Sequence, residues 1–172
     1  MQDISIYDLT ISQFIKVLGN LKRFIERGEA HAESKKFDMD VLLNARLAPD
    51  QFHFIRQVQI ACDTAKLGVS RLTGKQAPVH EDKEKTLPEI KSRIDDVVGF
   101  LRTFSEADCK EAAAKTISLP RWEGKHLTGA EYTIQHMVPN FYFHITTAYD
   151  ILRHNGVDLG KKDYLGDLPL RQ

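Results

Sequence analysis

Three polar side chains near the end of the chain have types and a spacing that suit a chemical site. His136, Asn140 and His144 follow one another at four-residue intervals, so they lie along one side of a predicted helix. Imidazole is a metal ligand and a general base, and a buried imidazole must satisfy two ring nitrogens. Because His144 falls within the apolar stripe of that helix, it is either a core histidine bonded to a neighbouring helix or part of a polar pocket between helices.

Four amphipathic segments are predicted to position these side chains. The first begins at a capping box formed by Thr10 and Gln13, and its apolar residues recur at helical spacing toward Lys36. The second follows Asp50, the predicted N-cap, and continues to Leu72 with apolar residues at alternating three- and four-residue steps. Such steps are typical of the narrow apolar seam of a helix bundle.

The third and fourth segments begin with Thr-x-x-Glu capping boxes at residues 86–89 and 128–131. The fourth ends at Gly156, since glycine readily adopts the left-handed conformation that follows many helices. Pro139 interrupts this last segment, where it removes one backbone hydrogen bond and predicts a kink.

The order of these segments predicts an all-α fold, an antiparallel four-helix bundle that forms one domain over residues 1–172. Residues 115–127 predict a small hairpin or irregular excursion that covers one end of the bundle before the last helix. The polar residues 74–85 are predicted to form a solvated loop. The tail from about residue 157 is predicted to lie over the surface of the bundle.

The composition excludes several classes of partner. Lys and Arg together number 24, as do Asp and Glu, so the chain lacks the positive charge expected of a nucleic-acid-binding protein. It also lacks an apolar stretch near the roughly 20 residues that a membrane span needs, and a signal-like start at Met1, which predicts a cytoplasmic protein. Cys62 and Cys109 are isolated, and Cys62 falls on a predicted core face.

The last helix is also aromatic on the side that faces away from the core. Tyr142, Phe143 and Tyr149 lie there, although a peripheral helix of a monomeric bundle has no need of apolar residues all round. This pattern predicts a two-fold homodimer in which these aromatic residues meet their own copies. The alternative is that the C-terminal tail and the segment around Trp122 cover them.

Three segments carry a resemblance to a known family. They are residues 42–49 (LLNARLAP), 56–63 (RQVQIACD) and 139–156 (PNFYFHITTAYDILRHNG). In these segments the chain resembles, residue by residue, a DinB-related bacterial family of unassigned function. Over about residues 7–166, its helix order and capping pattern resemble those of the broader DinB/YfiT-like superfamily of bacterial four-helix bundles.

The resemblance implies a place for a metal site, and the sequence departs from the family pattern there. Metal-binding members of the superfamily hold a divalent ion, often nickel or zinc, with one histidine of the second helix and a His-x3-His pair of the fourth. Some members are known or proposed to be thiol-dependent transferases or isomerases. By this resemblance His144 matches the last ligand, whereas Asn140 and Gln57 stand at the other two positions. Neutral amides are poor ligands for zinc or nickel.

Three hypotheses for function remain open. The leading one is a metal-free protein that binds a small molecule in a polar pocket between the second and fourth helices, lined by Gln57, Asn140 and His144. The second is a DinB-type transferase or hydrolase, in which nickel, zinc or a thiol cofactor joins His144 as ligand or general base. The third is a buried polar network of the same three residues that fixes helix register without any ligand. A shifted metal site using His136 with His144 is disfavoured, because two helical turns separate them by about 12 Å.

Overall fold

The fold is a helical bundle, as predicted. The computed structural model describes residues 4–171, so residues 1–3 and 172 of the predicted domain, including the chain start at Met1, lie outside the described residues. The four long helices are α1 (Gln13–Lys35), α3 (Phe54–Thr73), α4 (Leu87–Leu101) and α6 (Val138–His154). The short elements are α2 (Asp40–Leu43), β1 (Thr116–Ile117), β2 (Leu127–Thr128), α5 (Gly129–Tyr132) and α7 (Lys161–Leu165).

The apolar faces of the long helices form one core, in which α3 packs against both α4 and α6. At its centre the Phe14 and Phe141 rings lie with their centroids 4.1 Å apart, and both side chains are fully buried. Cys62 is also fully buried, as its place on the predicted seam indicated. Burying each large apolar side chain contributes about 1.5–3 kcal/mol, so this core carries most of the stability.

The first helix begins earlier than the sequence analysis predicts. Thr10 is fully buried and its hydroxyl donates to the Ile6 carbonyl at 2.5 Å, inside a π-helical turn at Asp8–Ser12 that leads into α1. The predicted capping box at Thr10 is therefore wrong. The cap belongs to Ser5, whose hydroxyl oxygen accepts from the Asp8 backbone N–H at 3.0 Å.

The N-cap predicted at Asp50 is also wrong. Asp50 lies exposed in a turn, and α3 begins at Phe54 after His53, whose backbone is extended (φ −70°, ψ 167°). The Phe54 N–H donates at 2.9 Å to the carbonyl of Ala45, a residue from the turn after α2. A backbone contact from outside the helix therefore fixes where α3 starts.

The two later capping boxes are confirmed. At α4 the Glu89 carboxylate accepts from the backbone N–H and the hydroxyl of Thr86, both at 2.9 Å. At α5 the Glu131 carboxylate accepts from the Thr128 backbone N–H at 2.9 Å, and the Thr128 hydroxyl oxygen accepts from the Glu131 N–H at 3.2 Å. Gly129, just after that cap, lies so close to the Ala112 carbonyl that a Cβ would approach its oxygen to 1.8 Å.

A π-helical turn at Thr133–Met137 joins α5 to α6, and Pro139 falls in the first turn of α6. The interruption predicted at Pro139 therefore coincides with a change of helix type. Here the helix approaches α3 closely, since a Cβ on Gly68 would lie 2.2 Å from the Met137 sulfur. At the other end α6 is followed by Gly156 in the predicted left-handed conformation (φ 88°).

The predicted excursion before the last helix is a two-stranded antiparallel hairpin. Thr116 pairs with Thr128 and Ile117 with Leu127, and a 3-10 turn at Pro120–Trp122 lies between the strands. The C-terminal segment packs on the bundle through α7, which contacts α1. None of the helices within residues 4–171 combines the length and the apolar character needed to cross a bilayer.

The three aromatic residues of α6 that predict a dimer differ in exposure. Tyr149 lies against Phe24 and Tyr164, with ring centroids 5.6 Å and 5.8 Å away, so the C-terminal tail covers it. Tyr142 is half-buried, whereas 55% of the Phe143 side chain is exposed. The alternative of coverage by the tail therefore holds for Tyr149, and the dimer prediction now depends on Phe143.

Candidate functional site

A cleft of about 520 Å³ opens between α3 and α6, and the turn of the hairpin forms its third wall. The continuous helical segment from α5 through the π-helical turn into α6 contributes a stripe with one residue every four positions: Tyr132, His136, Asn140 and His144. The α3 side presents Asp63, Thr64 and Arg71, and the hairpin contributes Leu119, Pro120 and Arg121. The volume lies within the range of small-molecule sites, about 300–1,000 Å³.

His144 lines this cleft although only 8% of its surface is exposed. Its Nδ1 lies 2.6 Å from Oε1 of Gln57, and Nε2 of Gln57 donates to the Phe52 carbonyl at 2.9 Å. Because the second bond fixes Oε1 of Gln57 as an acceptor, Nδ1 of His144 must carry a proton. Nε2 of His144 forms no hydrogen bond within the described residues, and it is not one of their fully buried atoms without a partner, so it is open to the cleft.

Burial and, to a smaller extent, the nearby Arg56 guanidinium together lower the pKa of His144 to about 4. The imidazole is therefore neutral at pH 7, with its proton on Nδ1 and a lone pair on Nε2. A neutral imidazole of this tautomer accepts a hydrogen bond from a hydroxyl or an N–H group. It is a weak general base at neutral pH, because an efficient base has a pKa near the working pH.

The structure brings the three predicted pocket residues to one region but gives them different places. Asn140 lines the cleft, and its side-chain amide donates to the Thr64 hydroxyl at 2.7 Å. Gln57 is only 2% exposed and does not line the cleft; it holds His144 from behind. Gln57 is thus a positioning residue for His144, while Asn140 and His144 face the open space.

His136 is partly buried in the cleft wall. Its ring stacks on that of Tyr132, with centroids 5.4 Å apart and an interplanar angle of 15°. The Arg121 guanidinium donates to its Nε2, which leaves the proton on Nδ1, a buried atom without a hydrogen-bond partner in the described structure. Burial, then Arg121 and Arg71, lower the pKa of His136, so this imidazole is also neutral at pH 7.

Two arginines of the cleft were missed by the sequence analysis. Arg71 donates to the Tyr132 hydroxyl at 3.1 Å, and Arg121 donates to His136. Their partners are neutral, and within residues 4–171 neither guanidinium has a carboxylate within 4 Å. The sequence gives no signal for this, because Arg71 and Tyr132 are 61 positions apart.

The residues at the superfamily's metal position do not fit a nickel or zinc ion. Oε1 of Gln57 is engaged with His144, and Asn140, whose NH2 group donates to Thr64, has only a neutral amide oxygen to offer, a poor ligand for these ions. In the shifted alternative, Nε2 of His136 is engaged with Arg121. Among the residues that the structure describes, no three His, Cys, Asp or Glu side chains are grouped so as to hold a metal ion. We therefore derive no chemistry through a metal.

The fold and the cleft together define a helical bundle with a polar site between its second and fourth long helices. Residues 6–165 match the sequence profile of a family described as a domain of unknown function, DUF1993. The chain belongs to this DUF1993 family. It is also similar to a crystal structure described as a DinB family member protein from Shewanella denitrificans, at 62% identity and a TM-score of 0.94.

That similarity covers 96% of this chain and 94% of the Shewanella chain. The predicted resemblance to a DinB-related bacterial family of unassigned function is therefore confirmed. Among curated protein sequences, none is similar enough to match this chain.

Proposed function

We propose that this protein binds a small polar molecule in the cleft between α3 and α6, without a metal ion. One observation carries the proposal: His144 is almost buried, lines the cleft, and has no hydrogen-bond partner for Nε2 within the described residues. A ligand hydroxyl or N–H that donates to this nitrogen would satisfy it. Asn140 and Thr64, which bond each other at the cleft wall, offer further polar contacts.

The purely structural hypothesis explains only part of this arrangement. The bonds from His144 to Gln57 and from Gln57 to Phe52 do fix the position of the ring. This hypothesis gives no role to Nε2 of His144, which forms no hydrogen bond with the described residues and, because it is not one of their fully buried atoms without a partner, is open to the cleft. The open cleft beside the free nitrogen favours binding instead.

The enzyme hypothesis finds less support. A histidine whose pKa is about 4 removes protons poorly at neutral pH, and the donor set does not suit a metal. Burial also raises the pKa of the Cys62 thiol to about 12, so this cysteine does not supply a nucleophilic thiolate.

A ligand screen tests the proposal. The protein is screened against small polar metabolites by thermal shift, and hits are measured by calorimetry with wild type and His144→Phe. We expect His144→Phe to weaken binding tenfold or more, since phenylalanine keeps the ring but removes the acceptor. The matched control is His154→Phe, which changes an exposed histidine at the end of α6. Equal affinities of wild type and His144→Phe for every hit would contradict the proposal.

The homodimer remains a separate proposal. Its support is the exposed Phe143 ring beside the cleft residue His144, with centroids 5.1 Å apart. A stable interface buries about 800 Å² on each partner, so a dimer would need neighbouring surface as well. Light scattering after gel filtration should give a two-chain mass for wild type and a one-chain mass for Phe143→Ser. A one-chain mass for wild type at micromolar concentration refutes the dimer.

A further inference from the structure

We propose that the ligand of this cleft carries a carboxylate or phosphate group, held between the guanidinium groups of Arg71 and Arg121. This inference rests on the proposed function, because it assigns a chemical class to the molecule that meets His144. Its basis is the charge of the cleft and the distance between its two polar ends.

The two guanidinium groups bond to the two members of one pair of stacked rings. Arg71, from α3, donates to the Tyr132 hydroxyl, and Arg121, from the hairpin turn, donates to His136. The Tyr132 and His136 rings lie 5.4 Å apart, centroid to centroid, so neighbouring points at the end of α5 and in the π-helical turn before α6 position both cations. Both arginines also lower the pKa of His136, as two positive charges close to one imidazole must.

Negative charge does not balance these cations within the described part of the cleft. Asp63 is the acidic side chain in its wall, and its Oδ1 already accepts from Arg93 at 2.7 Å and from Lys66 at 3.0 Å. His136 and His144 are neutral at pH 7. The cleft therefore holds two positive charges whose protein partners are a phenol and an imidazole.

Guanidinium suits an anionic partner. Its planar donors match the two oxygens of a carboxylate or phosphate, and such charge-assisted bonds are about twice as strong as neutral ones. A bound anion would replace weak neutral partners with strong ones. Two like charges near each other in a partly enclosed site also repel, and an anion between them relieves that repulsion.

The His144 end of the cleft adds a second requirement for the ligand. His144 follows His136 by two helical turns, which is about 12 Å at 1.5 Å per residue. Because Nε2 of His144 is an acceptor, it calls for a hydroxyl or N–H donor on the ligand. The inferred ligand is thus an elongated molecule with an anionic group at the Arg71 and Arg121 end and a hydrogen-bond donor about 12 Å away.

Binding of simple two-ended probes tests this inference. The probes are straight-chain ω-hydroxycarboxylates of increasing length, the matching ω-hydroxyalkyl phosphates, and neutral diols of the same lengths. Affinities are measured by calorimetry for wild type, Arg71→Gln, Arg121→Gln, His144→Phe and the control Arg153→Gln, which changes an exposed arginine of α6. We expect one of the anionic series to bind best, and each cleft variant to weaken it tenfold or more. Diol binding should not change in any of the arginine variants.

A histidine titration by NMR provides a readout that does not depend on affinity alone. The pKa of His136 should rise when the anionic probe binds to wild type, because the anion offsets the field of both arginines. The rise should be smaller in Arg121→Gln. Comparing the affinities of the carboxylate and phosphate series shows which of the two anionic groups the cleft prefers.

Each outcome decides between the two proposals. If diols and anions bind equally and both depend on His144, the proposed function stands and the anionic class is overturned. If anions bind with the same affinity to wild type, Arg71→Gln and Arg121→Gln, the assignment to these arginines is wrong. If no probe binds at millimolar concentration to folded wild-type protein, the anionic two-ended ligand is rejected. The screen of small polar metabolites with wild type and His144→Phe then tests separately whether the cleft binds a ligand.

Discussion

Two polar regions lie along α3, one toward α4 and one toward α6, and they differ in how completely their charges are paired. On the side of α4, Arg93 is buried to 1% exposure, and its guanidinium bonds Asp63 at 2.7 Å, Asp82 at 2.8 Å and Glu84 at 2.9 Å. On the side of α6, Arg71 and Arg121 have only neutral partners within the described residues. In the first region, called the saturated region below, the charge of Arg93 is paired with carboxylates of the protein. In the second, two cations and an imidazole nitrogen remain available to another molecule.

The saturated region also fixes the connection between α3 and α4. Lys66, only 2% exposed, lies 2.6 Å from Nδ1 of His80 and 3.0 Å from Asp63. His80, Asp82 and Glu84 all belong to the connection, so buried cations of both helices hold it in place. A second cleft of about 710 Å³ lies beside this region, and three of its wall residues take part in ion pairs, Arg56 with Asp82 and Glu84 with Arg93.

The largest expected effect comes from breaking the saturated region. Arg93→Ala removes one cation and leaves three carboxylates close together, so the free energy of unfolding should fall by about 3–5 kcal/mol. Urea denaturation measures this change. The control is Arg102→Ala, which removes an exposed arginine just after α4 and should change stability by less than about 0.5 kcal/mol. Similar losses for the two variants would show that the Arg93 network does not stabilise the fold.

The second prediction concerns pH and the cleft histidine. The pKa of His144 is lowered from 6.5 to about 4 in the folded protein, so the unfolded chain binds the proton more readily. Stability should therefore be complete above pH 6.5 and fall as the pH drops from about 6.5 to 4, by as much as about 3 kcal/mol. His136, whose pKa is also lowered, contributes with the same sign.

Urea denaturation at a series of pH values tests this dependence. His144→Phe should flatten the curve between pH 6.5 and 4, while His154→Phe should leave its slope unchanged. An unchanged slope in His144→Phe would mean that this imidazole is not held neutral by burial.

The third prediction concerns the residue behind His144. Gln57→Leu keeps the volume but removes the acceptor of the Nδ1 proton and the donor to the Phe52 carbonyl. It should destabilise the protein by about 1–3 kcal/mol, the cost of leaving buried polar groups without partners. Thermal and urea unfolding measure the loss, with the exposed Gln76→Leu as control. Equal stability of Gln57→Leu and wild type would show that Gln57 does not hold His144 in position.

The smallest effect on stability is expected from the cleft arginines. The double variant Arg71→Gln, Arg121→Gln should change the free energy of unfolding by less than about 1 kcal/mol, because no ion pair is lost. This result contrasts directly with Arg93→Ala, although the double variant removes two cations. A loss of about 3 kcal/mol or more would show that these arginines hold the fold and would erase the contrast between the regions.

Local patterns predicted the fold well, and non-local contacts explain where they failed. The capping boxes at 86–89 and 128–131 were predictable because both partners of each bond lie three residues apart. The predicted caps at Thr10 and Asp50 were wrong because an extra helical turn and a bond to Ala45 determine those helix starts. A local motif does not reveal either cause.

The same distinction applies to the two polar regions. Helical spacing placed Asn140 and His144 on one face, and both line the cleft. Residues 74–85 form a loop, as predicted, but helical spacing did not reveal that His80, Asp82 and Glu84 of this loop pair with Lys66 and Arg93 on other elements. Arg71 and Arg121 were missed for the same reason, because a hairpin and a helix bring them to the same pair of rings.

The most direct test of the account is the protonation of His144 with and without a ligand. Long-range ¹H–¹⁵N spectra at pH 7 report which ring nitrogen carries the proton. The account predicts a neutral ring with the proton on Nδ1 and a free lone pair on Nε2, whose ¹⁵N resonance shifts when a binding probe donates to it. A charged ring, a proton on Nε2, or a resonance that no bound ligand changes would contradict the claim that His144 offers an acceptor to the cleft.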